Sequence, residues 1–311
     1  MPVFSDTRPP AVTLVEVGPR DGLQNERARL TTDEKIALIH RLVDSGITEI
    51  EVGSFVHPRW IPQMADTGDV FRGLNRQDGV RYWALVPNVR GLDAALDAGA
   101  DAVAIFVSSS ETHNLKNLNR SIDQSLEGLR EVTARAREHG VQLRGYISTV
   151  FGCPYEGDVS FDRVMEIADA LLDMGVIQVS LGDTTGMGTP VQVQQALQRA
   201  LQRFGPDPIA LHLHDTRGVG LANALAALEV GVQTFDTSIG GMGGCPYAPG
   251  AAGNLGTEDL VYMLHASGIE TGIDLDRLID TSRLLENDHG ATLNSAYYRY
   301  ARAGKSPQVS V

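Results

Sequence analysis

The feature that most constrains this chain is a repeated alternation. A short apolar run of strand-like composition is followed by an amphipathic run of helical spacing, and the unit recurs eight times. The strand-like runs fall near 12–17, 48–53, 80–86, 101–108, 142–150, 176–182, 208–214 and 232–238. Helical patterns lie between them, near 32–45, 61–76, 89–98, 121–139, 160–173, 190–204 and 218–230. Thr32-Asp33-Glu34 reads as an N-cap with acids in the first turn, followed by Ile36, Ile39, Leu42 and Val43 on one face. Five helices run into a glycine stop, at Gly46, Gly99, Gly140, Gly175 and Gly231. Eight such units favour a closed parallel (β/α)8 TIM barrel over a doubly wound open sheet. A chain of 311 residues, 42% of them hydrophobic, can bury that core as one barrel domain. The barrel is expected over about 12–270, with C-terminal helices and a tail over about 271–311, two further helices lying within 274–303. Residues 1–11, with three prolines, read as a loose arm.

A barrel of this kind carries its chemistry at the C-terminal ends of its strands, so polar residues there are candidates for function. Arg20, Asp21 and Gln24 follow the first strand, Glu51 lies near the end of the second, and Ser54 just beyond it. Ser108–Ser110 and Thr149 end the fourth and fifth strands, and Asp183-Thr184 follows the sixth. His212 and His214 end the seventh, and a glycine-rich loop from Ser238 to Tyr247 follows the eighth. All belong to one rim. Arg20, Gln24, Glu51, Ser54, Asp183 and Thr184 are the candidate substrate contacts.

The run Ala210-Leu211-His212-Leu213-His214 puts two imidazoles two residues apart, hence on one face of a strand. That arrangement suits one divalent metal; the competing reading is one buried and one surface histidine. Barrel closure brings strand one beside strand eight, so Asp21 is the natural carboxylate partner. Asn254 can add an amide oxygen or cap the helix opened by Thr257-Glu258-Asp259, or do both. Two nitrogen and two oxygen ligands with open positions suggest Mg²⁺ or Mn²⁺, with Co²⁺ or Zn²⁺ able to substitute. Arg20, beside Asp21, is aimed near the same place and can stabilise a developing oxyanion; a surface salt bridge is its plainer reading. The loop Gly240-Gly241-Met242-Gly243-Gly244-Cys245 reads as a mobile lid that delivers a thiol, able to donate a proton as readily as to act as a nucleophile, or as a plain flexible turn. Cys153, in a second Gly-Cys-Pro-Tyr string, is expected to be structural.

The net charge of −13 argues against nucleic acid or an anionic membrane as the main partner. Two cysteines do not make a disulfide framework. With no signal-like N-terminus and no membrane-length apolar run, a soluble cytosolic protein acting on a small molecule is expected.

Several of these stretches together resemble the 3-hydroxy-3-methylglutaryl-CoA lyase family. They are Val17-Gly18-Pro19-Arg20-Asp21-Gly22-Leu23-Gln24-Asn25-Glu26, His212-Leu213-His214-Asp215-Thr216 and Gly243-Gly244-Cys245-Pro246-Tyr247. Gly152-Cys153-Pro154-Tyr155-Glu156-Gly157, Leu181-Gly182-Asp183-Thr184 and Glu258-Asp259-Leu260-Val261-Tyr262-Met263-Leu264 also match. The likeness runs from about Val12 to about Leu275. It implies Asp21, His212, His214 and Asn254 as metal ligands, and Arg20, Cys245 and His212 as catalytic groups. Glu51 and Asp183 match the family's acidic active-site positions. It further implies a coenzyme A thioester substrate, cleavage to acetyl-CoA and acetoacetate, and a homodimer. The same mechanism on a different 3-hydroxy dicarboxyl-CoA, or a Claisen-condensing synthase of the isopropylmalate type, are the competing readings; a vestigial binding barrel is opposed by the complete ligand set. Residues 237–242 and 286–290 depart from the pattern, as does Arg217, which stands where tyrosine is expected and is either a substrate contact or an outward salt bridge.

Overall fold

In the computed structural model the described residues are 8–24, 26–244 and 252–304. Eight strands close into a parallel barrel in chain order. They are β1 (Thr13–Glu16), β2 (Glu49–Ser54), β3 (Arg81–Leu85), β4 (Ala102–Ser108), β5 (Gln142–Ser148), β6 (Gln178–Asp183), β7 (Ile209–Leu213) and β8 (Thr234–Thr237). Closure is made by β1 on β8, Thr13 to Glu16 pairing with Thr234 to Thr237 in register.

Helices α1 (Thr32–Asp44), α2 (Thr67–Gly73) and α3 (Val89–Asp97) follow the first three strands. Two helices, α4 (Glu111–Leu118) and α5 (Ile122–Glu138), follow β4. Then come α6 (Phe161–Asp173), α7 (Pro190–Phe204), α8 (Gly220–Leu228) and α9 (Thr257–Ala266), one after each remaining strand. The tail folds back as α10 (Leu275–His289) and α11 (Ala296–Arg302), packed on α1 and α9. None of the described helices is long and apolar enough to cross a membrane.

Local chemistry explains the boundaries. Thr31, one residue earlier than expected, caps α1 in a reciprocal box: its hydroxyl accepts from Glu34 N and Glu34 Oε2 accepts from Thr31 N at 2.6 Å. The five expected glycine stops all have left-handed backbone, φ between 68° and 100°. The helix expected over 61–76 is instead a 3-10 turn (Pro62–Met64) and then α2. Thr67 forces the break: its hydroxyl donates to Met64 O and accepts from Ser54 N, tying the segment to β2. Helix α4 was not expected; Ser110 caps it by accepting from His113 N, and Asn119 ends it with φ 53°. Ser54 lies inside β2 rather than beyond it, and β7 stops at Leu213, so His214 is held outside the strand by a bridge to Asn254.

One core lies between the sheet and the helices, where Leu14, Ile50, Val103, Ile147, Leu181 and Leu211 meet the helical stripes. The barrel interior differs. On one side it holds Val15, Trp83, Leu85, Ala104 and Tyr146. On the other it holds charge: Arg144 and Asp236 are at most 1% exposed and paired. Lower down, Glu49 accepts from Arg81 and from the indole of Trp83.

Candidate active site

Strand parity sends His212 inward, and His214 follows it past the strand end. Their Nε2 atoms lie 3.2 Å apart. The first strand delivers its residues through a π-helical turn, Gly18–Gly22, in which the amides of Arg20, Asp21 and Gly22 all donate to Val17 O. The turn aims Asp21 at the two imidazoles, and one ligand atom from each of Asp21, His212 and His214 lies within 4.8 Å of the others. Asn254 completes the cluster. Its Nδ2 donates to Asp21 Oδ2 at 2.8 Å and to Met242 O at 3.2 Å. Gly243 (φ 98°) leaves it room, since a Cβ there would stand 2.7 Å from Nδ2.

Whether these groups suit a cation can be judged from what they leave open. Asn254 Oδ1 is buried without a hydrogen-bond partner among the described residues, a state that costs free energy unless something accepts the lone pairs. Burial alone would raise the Asp21 carboxyl, but Arg20, both histidines and the Asn254 amide outweigh it and hold it well below the carboxylate range. Burial, with His212 beside it, pushes His214 down to about 3, so its imidazole is neutral. A carboxylate, neutral imidazole and an unpaired amide oxygen make a donor set that fits a divalent metal. Asn254 is therefore not the cap of α9; that position is Gly256.

Arg20 is 7% exposed and clamped, Nε donating to Glu51 Oε2 at 2.6 Å and Nη1 to Asp21 Oδ1. Nη2 is the nitrogen left for a ligand. The surface salt bridge reading of Arg20 is thereby excluded. Arg20, Asp21, Gln24, Thr184, His212 and His214 line one cavity of about 740 Å³. The cavity extends from this floor past Tyr146 and Phe106 to a mouth bearing Trp60, Lys116 and Arg120.

Three expected contacts sit one layer behind. Glu51 is fully buried under Arg20. Asp183 accepts from Met187 N and Gly188 N, and burial pushes it up to about 6. Ser54 is buried outside the lining, and its hydroxyl accepts from Val56 N, which supports the β2 loop. Arg217 also leaves the lining: its Nη1 donates to the carbonyls of Thr185 and Gly186, tying the loops after β6 and β7. Among the described residues it makes no salt bridge, and it does not line the cavity.

Cys245 lies outside the described residues. Its neighbour Gly244 lines the cavity. The base of that loop is held firmly, not loosely: residues 238–242 are buried, Glu16 accepts from Ile239 N and Glu258 from Gly240 N. Cys153 is buried and unpaired among the described residues, its thiol donating to Ser110 Oγ.

Sequence reasoning overlooked Arg144, Tyr146 and Asp236, which share the cavity floor or its underside. The signal was present as parity: Arg144 and Tyr146 alternate with apolar residues in step with Ser148, and Asp236 is the one acid in β8. Thr149 was noted only as a rim residue. It adopts φ 63°, which is costly for a β-branched side chain, and its hydroxyl contacts Ser108 Oγ at 2.8 Å.

A family model described as HMGL-like matches residues 11–285. A hydroxymethylglutaryl-CoA lyase of Bacillus subtilis is 49% identical over 92% of this chain and 96% of its own length. The crystal structure of a B. subtilis HMG-CoA lyase superposes with TM-score 0.93 at 47% identity, covering 95% of this chain and 99% of that one. An HMG-CoA lyase of Acinetobacter baumannii, solved with coenzyme A and 3-methylmalate, does so with TM-score 0.91 at 41% identity, covering 99% of each. With the closed barrel and the Asp21, His212 and His214 cluster in place, these likenesses show that the chain belongs to the hydroxymethylglutaryl-CoA lyase family.

Proposed function

We propose that this protein is a divalent-metal-dependent carbon–carbon lyase that cleaves 3-hydroxy-3-methylglutaryl-CoA to acetyl-CoA and acetoacetate. The observation that carries the reading is the convergence of Asp21, His212, His214 and the unpaired Asn254 oxygen beside Arg20, at the floor of a long cavity. Asp21, His212, His214 and Asn254 would hold Mg²⁺ or Mn²⁺, with Co²⁺ or Zn²⁺ as substitutes, and the bound ion supplies Lewis acidity that lowers the pKa of the substrate's C3 hydroxyl.

The chain's residues do the rest. A base at this site takes the hydroxyl proton, either His212 or a water or acid beside it; when His212 is committed to the ion through Nε2 with Nδ1 protonated, the water or acid fills that role. As the C2–C3 bond breaks, its electron pair passes to C2 and the thioester oxygen, giving the acetyl-CoA enolate, while C3 becomes the ketone of acetoacetate. Arg20 Nη2 donates to the enolate oxygen. Glu51, by holding Nε, fixes the guanidinium plane before the charge develops, so little reorganisation is needed in the transition state. Cys245 gives its proton to C2 and completes the balance. Thr184 and Gln24 shape the acyl end, and Asp183 supports it from behind by holding Met187 N and Gly188 N.

Coenzyme A is the expected carrier because the cavity mouth is basic where phosphates would lie, at Lys116 and Arg120, and carries an indole, Trp60, that is 82% exposed. The A. baumannii relative was solved with coenzyme A. Membership in a lyase family favours cleavage over the condensing synthase. A reducing, cytosolic setting, in keeping with only two cysteines in the chain, is part of this reading. The homodimer implied by the family resemblance belongs to the same reading, with sedimentation velocity as its check. The deciding experiment is a coupled assay of acetyl-CoA release across branched 3-hydroxy dicarboxyl-CoA thioesters, with metal-stripped and Mg²⁺-restored enzyme. Fastest turnover of the 3-methylglutaryl substrate is expected; no release from any of them would reject the reading.

A further inference from the structure

We propose that Asp236 is a positioning residue for His212, and that Arg144 and Ser180 hold Asp236 in that role. The inference rests on His212 being a metal ligand. Three residues, Arg144 on β5, Ser180 on β6 and Asp236 on β8, point into the barrel beneath the cluster and meet under His212 of β7. His212 and Asp236 are register partners across β7 and β8. Asp236 Oδ2 lies 3.3 Å from His212 Nδ1 and accepts from Ser180 Oγ at 2.7 Å. Asp236 Oδ1 accepts from Arg144 Nη2 at 2.5 Å. Arg144 spends its other nitrogens on Gln178 Oε1 (2.9 Å) and Tyr146 OH (2.6 Å). The Tyr146 ring meets the His212 ring nearly edge-on, with centroids 6.2 Å apart and planes at 81°.

Charge pairing inside the barrel accounts for one Asp236 oxygen only. The other is turned to the imidazole and steadied by a hydroxyl. A carboxylate beside Nδ1 favours the tautomer with its proton there and leaves the Nε2 lone pair on the side of His214, 3.2 Å away. The ring N–H points off the line to Oδ2, so the contact is more electrostatic than hydrogen-bonded. His214 has no such partner: its Nδ1 is buried and unbonded among the described residues. The two ligand histidines are thus unequal, one oriented from below and one held by packing and by the bridge to Asn254.

The test uses the full chain, metal-free and labelled with ¹⁵N-histidine. In the wild type the His212 ring should read as the Nδ1–H tautomer by long-range ¹H–¹⁵N spectra. In Asp236→Asn that signature should become mixed, with the His214 signals unmoved, and Mn²⁺ affinity by calorimetry should fall about 10- to 100-fold. Ser180→Ala should move both readouts the same way by less. Asp236→Asn leaves Arg144 buried and unpaired, so Arg144→Met/Asp236→Asn, which removes both charges, serves if the single variant does not fold. A folded variant with wild-type tautomer and wild-type Mn²⁺ affinity would reject the positioning role while leaving the lyase reading intact. A wild type that binds no Mn²⁺, Mg²⁺, Co²⁺ or Zn²⁺ would overturn the metal reading and this inference with it.

Discussion

Two sets of buried carboxylates stand within the same rim and are stabilised in opposite ways. Asp21 and Asp236 face guanidinium groups, from Arg20 and Arg144, and despite the burial both lie below the usual carboxylate range. Among the described residues, Glu16 and Glu258 face no cation. Glu16 accepts from Gly18 N, Ile239 N and Thr257 Oγ1, and Glu258 from Gly240 N and Ser282 Oγ. Burial pushes Glu16 up to about 7 and Glu258 up to about 8. In the proposed function, the first set keeps charge beside the candidate metal ligands and Arg20. The second pins backbone, joining the Arg20–Asp21 turn to the base of the Cys245 loop, and can do so as neutral acids. Asp236, Glu16 and Glu258 are equally buried and Asp21 is half-buried; the partner, not the depth, decides the use.

The largest effect expected from breaking the first set is at Arg20. Arg20→Gln should lower kcat by about 10²–10³, the usual cost of one preorganised oxyanion donor. It also strips Glu51 of its partner, and breaking a buried pair costs about 3–5 kcal/mol. Arg20→Gln/Glu51→Gln should recover the urea midpoint without the rate; recovery of both would make Arg20 structural. Next is Asp21→Asn, which should abolish Mn²⁺ binding by calorimetry and turnover together. Chelation of the wild type should do the same reversibly, and full activity in metal-free enzyme would end the comparison.

The second set should answer differently. Glu258→Ala orphans Gly240 N and Ser282 Oγ and should cost about 1–3 kcal/mol per unsatisfied group, whereas Glu258→Gln keeps an acceptor and should cost much less, with Mn²⁺ affinity unchanged in both. The smallest effect is on pH. Glu16 and Glu258 bind protons more tightly folded than unfolded, so their contribution to stability is full below the ordinary glutamate value of 4.5 and is lost as pH rises through about 7 and about 8. The difference in urea midpoint between wild type and Glu258→Gln should therefore shift across pH 5–8 in favour of the variant. A constant difference would show that Glu258 is ionised throughout, and the contrast between the sets would close.

The barrel and most of its helices were legible because periodicity and punctuation are local. Gly46, Gly99, Gly140, Gly175 and Gly231 mark helix ends whatever lies around them. Where tertiary partners intervened, local reading failed: Thr67 bonds across to β2 and splits one helix, and Ser110 with Asn119 cuts out another. His212, His214, Asp21 and Arg20 were legible as polar residues at strand ends. Arg144 and Asp236 were not, because nothing in a single strand says that an inward charge meets its partner three strands away.

Residue order along this chain determined the alternation, the rim and the identity of the candidate ligands, because those depend on spacing within one element. Tertiary structure alone decided that Asn254 turns to Asp21 rather than to a helix end, that Arg217 is spent on carbonyls, and that Glu51, Ser54 and Asp183 stand behind the cavity wall. Each of those outcomes is set by which buried donor finds which acceptor, and that is a property of packed neighbours far apart in the chain.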